Sequence, residues 1–314
     1  MPHDVARALA AVRAQPWAIL PEYLDAIEAI AARALGHPAL LTVAEDGHEP
    51  RLAANMQAVA AVGSRLEGAR MSTVRDGTAV VPVLGPIFPR ATLVNASAGG
   101  TALDAVMADL RVAFASTAVD RVLMLFDSPG GVVSGLGEAA AGIREAPKLV
   151  TAFVTGMAAS AAYWLASQAS ELVVEPAAQV GAIGVVASVS RQEAPNGEGR
   201  RTHEIVSSGA PRKRPDPTTE EGRAAIQEEV DALEGVFVEA VAMGRKKSPS
   251  YVRKNFGQGG MVPAAMAVEA GMADRIGTLE ATLNGLARRA GPSPTPGRRA
   301  TAERELDLRR RRAS

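Results

Sequence analysis

The sequence predicts an α/β fold built on a mostly parallel sheet, and three observations predict it. From Gly77 onward, short runs rich in β-branched residues alternate with stretches of helical spacing. The chain has 314 residues, 47% hydrophobic and 22% charged, which is the balance of a globular protein able to bury a sizeable core. Aromatic residues are only 4%, so that core must be packed from alanine and branched aliphatic side chains.

In chain order, residues 1–75 read as a helical N-terminal extension. In EYLDAIEAIAARAL, Tyr23, Ile27, Ile30 and Ala34 share one face at helical spacing. Residues 76–286 carry the sheet. Its strand candidates are TAVVPVL, DRVLMLF, LVTAFV, ELVV and AIGVVASV, with helices expected over 103–114, 136–144 and 158–169. Strands that alternate with helices pair in parallel and are covered on both faces. A long helix follows from about Thr219, with Ile226, Val230, Leu233, Phe237 and Val241 as its apolar stripe. Residues 287–314 form a Pro/Gly/Arg-rich tail for which disorder is expected, with nine Arg against Glu303, Glu305 and Asp307.

Composition excludes several chemistries. The chain has no cysteine, so thiol nucleophiles, disulfides and Cys-ligated zinc are out, and a cytoplasmic setting fits. Formal net charge is zero, giving no overall attraction to nucleic acid or anionic membrane. The longest apolar stretch, residues 149–166, is interrupted by Thr151, Thr155, Gly156 and Ser160. It reads as a buried strand followed by a buried helix and not as a membrane span. The N-terminal residues show no signal peptide. No phosphate-loop motif occurs, and HEIVS at His203 is no zinc motif, so neither metal nor cofactor is expected.

Three segments could carry chemistry. Asp127-Ser128-Pro129-Gly130-Gly131 follows a strand, and its glycine pair lets backbone N–H groups face an anion or oxyanion. An ordinary strand-to-helix turn would look the same. In Ala158-Ala159-Ser160-Ala161-Ala162-Tyr163-Trp164, a serine among small residues follows a buried strand, where a peptide could approach closely. Tight helix packing is the plainer reading. In Ser208-Gly209-Ala210-Pro211-Arg212-Lys213-Arg214, one of only five lysines, against 29 arginines, stands between two arginines. Serine needs a base to remove its proton, and a desolvated lysine can serve where a guanidinium cannot. A solvated basic turn is the plainer reading here too. Ser160 with His203 is a weaker pairing.

In order and spacing together, these segments resemble the signal peptide peptidase A family of serine peptidases, which includes phage prohead proteases. The matching stretches are DSPGG at 127–131, AASAAYWLA at 158–166, QVGAIGV at 179–185, SGAPRK at 208–213 and GMADRIG at 271–277. The resemblance implies a crotonase/Clp-protease-like core and a Ser–Lys dyad, with Ser160 as nucleophile and Lys213 as general base. It further implies oxyanion donors at the backbone N–H groups of Gly131 and Ala161, and substrate binding along Gly130, Gly181, Ile183 and Gly184. The histidine base of the related Clp proteases would fall at Val185, so a Ser–His triad is not expected. Protein or peptide substrates, phage scaffold and capsid proteins among them, and a homo-oligomeric assembly follow from the same resemblance. A signal-peptide-degrading role, a catalytically silent assembly protein and an acyl-CoA enzyme of the shared fold are the alternatives.

Overall fold

The computed structural model describes residues 16–25, 27, 62–90, 100–189 and 205–289. The strands are β1 (Trp17–Ile19), β2 (Ser64–Arg65), β3 (Thr73–Arg75), β4 (Thr78–Leu84), β5 (Ile87–Phe88) and β6 (Thr101–Ala102). They continue with β7 (Arg121–Ser128), β8 (Gly130–Val132), β9 (Val150–Ala159), β10 (Glu171–Val174), β11 (Gln179–Gly181), β12 (Met261–Pro263) and β13 (Arg275–Ile276). The helices are α1 (Leu103–Ala115), α2 (Leu136–Arg144), α3 (Ala161–Ala166), α4 (Glu220–Arg245), α5 (Pro249–Asn255), α6 (Ala264–Ala270) and α7 (Leu279–Arg289).

The continuous apolar runs form the middle of the main sheet, where β4, β7 and β9 lie side by side and parallel. Both faces of these strands are buried, which is why they read as unbroken hydrophobic runs and not as alternating ones. Val81, Val83, Met124 and Phe126 face a large core shared with α1 to α4, while Val80, Leu123, Leu125 and Phe153 face Leu283 and Leu286 of α7. Beyond β7, β9 divides its free edge: its first half pairs with β10 and its last residues with β11, both parallel. A second, four-stranded sheet runs β1-β8-β5-β6 and lies at the C-terminal end of β7. Here β9, α3, β8 and β11 converge.

The α/β class and the mostly parallel sheet are as the sequence predicts. The long apolar stretch is a strand and a short helix, and no described helix is long and apolar enough to cross a membrane. Four details differ. Trp17–Ile19 is a strand, not part of a helix, because Pro16 and Pro21 bracket it. Proline disfavours helical backbone in the residue before it and suits the first helical position, so helix begins only at Pro21. Secondly, β2 and β3 extend the main sheet, which therefore starts before residue 76. Thirdly, Ala158 and Ala159 are strand, not helix, since parallel pairing with Val180 and Gly181 holds them extended. Fourthly, residues 182–189 are not the expected strand: β11 is Gln179–Gly181 and stops where Ala182 takes a left-handed φ of 50°, leaving only an isolated bridge at Val186. Ile30, Ala34 and residues 290–314 of the expected tail lie outside the described residues, while its first residues, 287–289, continue α7 and are helical.

Helix α4 starts where Thr219 caps it, its hydroxyl accepting the Gly222 N–H at 3.0 Å. Phe237 and Val241 of the expected stripe are buried, whereas Ile226, Val230 and Leu233 are only partly so. At its other end Arg245 forks onto Asp274, with Nη1–Oδ2 at 3.0 Å and Nη2–Oδ1 at 2.7 Å, and the Leu172 N–H donates to Oδ2 at 2.7 Å. Burial pushes the Asp274 carboxyl up, but these donors outweigh it and hold the group below its usual range. A depressed native value means that the unfolded chain takes up the proton first as pH falls. The stabilisation is therefore complete above the ordinary aspartate range and is lost as pH drops through the native value. Asp274→Asn should cost about 1–2 kcal/mol at neutral pH, discounted for the half-exposed carboxylate, and the difference should fade as pH drops through the native value. Urea unfolding of both proteins across that range measures it.

Candidate active site

Ser160 stands between the last residue of β9 and the first of α3, with φ 51° and ψ −115°. Positive φ is costly for a residue with a Cβ, and persists only where neighbours enforce it. Here the Ser160 N–H donates to the Gly181 carbonyl at 2.7 Å and the Trp164 N–H donates to the Ser160 carbonyl at 2.9 Å. The turn is anchored below by α3, where Trp164 stacks on Phe237 at 4.6 Å and the Tyr163 hydroxyl donates to the Met272 carbonyl at 3.0 Å. Burial pushes the Tyr163 phenol up, so it stays a neutral donor. A sharp strand–serine–helix turn of this kind lifts a hydroxyl clear of its sheet. The Ser160 hydroxyl donates to the Gly184 carbonyl at 3.4 Å, and the residue is 1% exposed.

The DSPGG turn arrives next to it. Ser128 pairs with Ala158, and the Ser128 hydroxyl accepts the Gly130 N–H at 3.3 Å. Gly130 has φ +104°, and a Cβ there would lie 3.0 Å from the Ser160 Cβ and 2.2 Å from the Ala18 carbonyl oxygen. At Gly131 a Cβ would meet the Ile87 carbonyl oxygen at 2.0 Å. Both positions therefore exclude a side chain, and the glycine pair brings bare backbone to the serine. The Ala161 N–H starts α3, where a helix leaves its first N–H groups without an internal acceptor.

The structure thus gathers Ser160, Ala161, Gly130, Gly131, Gly181 and Gly184 in one place, with the largely buried Ile183 beside them in the main core. Lys213 ends an exposed turn of 3-10 helix, Pro211–Lys213, and no hydrogen bond joins it to Ser160 among the described residues. Its neighbour Arg212 pairs with Glu228 of α4. His203 lies outside the described residues, as do all of 190–204.

Sequence reasoning named Asp127 only as the start of the glycine turn, and it missed β1. Asp127 ties the strand ends together, its carboxylate accepting the Met157 N–H at 3.1 Å. Strand β1 lies directly against Gly130 and Gly131. The signal for β1 was the proline pair around a short apolar run.

Comparison with known proteins places the chain among peptidase-like sequences. Residues 143–292 match peptidase family S49, a span that includes Ser160 and Lys213. The chain is 29% identical over 214 residues to capsid assembly protease C of Escherichia phage lambda, covering 66% of this chain and 48% of that protein. It is 28% identical over 284 residues to the head-tail preconnector protein GP5 of Enterobacteria phage P21, covering 88% of this chain and 56% of that one. An Enterococcus faecium protein that bears the name signal peptide peptidase SppA is 30% identical over 175 residues, 54% of this chain and 51% of its own. The chain spans about half the length of these relatives. Its resemblance to the signal peptide peptidase A group and to phage capsid proteases is therefore present in overall sequence as well as in the short motifs, and residues 143–292 are of the peptidase S49 kind.

Proposed function

We propose that the protein is a serine endopeptidase acting through a Ser160–Lys213 dyad and an acyl-enzyme. The observation that carries this reading is the strained turn that fixes Ser160 against the side-chain-free Gly130. Neutral Lys213 takes the serine proton as Oγ attacks a peptide carbonyl. The N–H groups of Gly131 and Ala161 stabilise the oxyanion, and Lys213 then protonates the leaving amine. Water hydrolyses the acyl-enzyme by the same path in reverse. The dyad requires a Lys213–Ser160 hydrogen bond in the working enzyme; here the Ser160 hydroxyl donates to the Gly184 carbonyl instead. Gly130, Gly181, Ile183 and Gly184 would line the extended substrate. No step calls for a metal or cofactor.

The similarity to phage lambda protease C and to P21 GP5 supports a role in phage capsid assembly. Scaffold or capsid proteins as substrates and a homo-oligomer as the working form are part of the same proposal. The test of the dyad is peptide-cleavage rate against pH. A lysine base must lose its proton first, so the wild-type rate should rise with pH through one ionisation. Lys213→Arg should be as inactive as Lys213→Ala, because arginine keeps the charge but cannot accept the proton. A folded Lys213→Arg enzyme with substantial activity would remove Lys213 as the base and leave His203 as the next residue to test.

A further inference from the structure

Strand β1 lies in the gap beside the nucleophile. On one edge Trp17 exchanges both backbone hydrogen bonds with Val186, N–H to carbonyl at 2.8 Å and back at 2.7 Å. On the other edge the segment runs antiparallel to the glycine strand, with Trp17 opposite Val132, Ala18 opposite Gly131 and Ile19 opposite Gly130. The Leu20 N–H donates to the Pro129 carbonyl at 3.0 Å, which continues the same register. Successive residues of a strand address opposite neighbours, so with Trp17 turned to Val186 and Leu20 to Pro129, Ala18 presents its backbone to Gly131. The segment is sewn in on both sides, as an extended peptide added to a sheet edge would be.

Its placement relative to the chemistry is close. A single point, that of a Cβ on Gly130, lies 2.2 Å from the Ala18 carbonyl oxygen, 3.0 Å from Ile19 Cα and 3.0 Å from the Ser160 Cβ. Ala18 is wholly buried on the main-core side, while Trp17 and Ile19 face Phe88, Val132, Leu24 and Ile27. Trp17 meets Phe88 edge-on at 6.0 Å between ring centres. Ser160 is 1% exposed, and the Gly131 backbone faces Ala18.

We propose that Trp17–Leu20 occupies the peptide-binding cleft of this same chain as a pseudo-substrate. It shows how a substrate binds: extended, antiparallel to Gly130–Val132, with a small side chain at the position opposite Gly131. Substrate must displace it. The proposal rests on the reading of Ser160 as a nucleophile. Displacement makes the apparent reactivity of the site fall with the fraction of molecules in which the strand is out.

The test uses the full chain and a peptidyl diphenyl phosphonate with alanine next to the phosphorus. Amide hydrogen exchange is followed before and after labelling. The Trp17 and Leu20 amides should exchange slowly in the free protein and lose that protection once Ser160 carries the probe. In Ala18→Trp, where the large side chain cannot fit the buried position, labelling of Ser160 should be faster than wild type by about tenfold or more, the gain expected if the strand is out in a tenth of molecules or fewer. Ser160 labelled with Trp17 and Leu20 still protected would make β1 a permanent wall of the site and overturn the proposal, leaving the peptidase reading intact. Slower labelling in a folded Ala18→Trp would do the same. If Ala18→Trp fails to fold, the exchange measurement on the wild type decides alone. No labelling of Ser160 in the folded wild type or in Ala18→Trp would remove the peptidase reading, and this proposal with it.

Discussion

Ser160→Ala should abolish peptide turnover, lowering the rate by at least about 10⁴-fold, while the protein stays folded. The hydroxyl contributes one long hydrogen bond, 3.4 Å to the Gly184 carbonyl, so its loss removes little native stability. The backbone bonds that set the turn, to Gly181 and from Trp164, do not involve the side chain. The strained φ of 51° remains with alanine and would be relieved by glycine. Ser160→Gly should therefore unfold no earlier than Ser160→Ala and be equally inactive. That pairing separates the cost of the conformation from its use. Peptide-cleavage assays with thermal unfolding of the three proteins measure both quantities.

Gly131→Ala should be the most damaging change of a single methyl group in the site. The new Cβ would meet backbone on the neighbouring strand, 2.0 Å from the Ile87 carbonyl oxygen and 2.6 Å from its carbon. Backbone cannot rotate aside as a side-chain tip can, so β8 and β5 must separate. We expect a loss of about 3 kcal/mol of stability. Moving the Gly131 N–H should also lower turnover by about 10²–10³-fold under conditions where the variant is folded, the usual effect of losing one oxyanion donor. Gly137→Ala is the control. It lies in α2 with nothing near the new methyl group, and should stabilise slightly through helix propensity. Equal behaviour of the two variants in denaturant unfolding would show that the glycine strand is not tightly held.

The sheet was legible because its central strands are buried on both faces. TAVVPVL is β4 residue for residue, and helix α2 spans 136–144 as its spacing predicts. The placement of Ser160 after a buried strand and at the start of a helix was legible, but the exact turn was not. Helix propensity of the alanine-rich stretch argued for helix from Ala158, and parallel pairing with β11 overrode it through Ala159. Strand β1 was hidden for a different reason. Its partners are Gly130–Val132 and Val186, more than a hundred residues along the chain, and three apolar residues between prolines give no period from which to read a partner. Lys213 shows the opposite case. Its composition context singled it out, but a short exposed turn says nothing of what it faces, and chemistry alone connects it with Ser160.

The central claim is that Ser160 is a nucleophile, and covalent labelling tests it most directly. The 314-residue chain is incubated with the peptidyl phosphonate and the adduct is located by mass spectrometry of the digested chain. The account predicts one adduct per chain, on Ser160, accompanied by loss of peptide turnover and absent from Ser160→Ala. An adduct on another residue, equal labelling of Ser160→Ala, or full turnover by a chain fully labelled at Ser160 would contradict it.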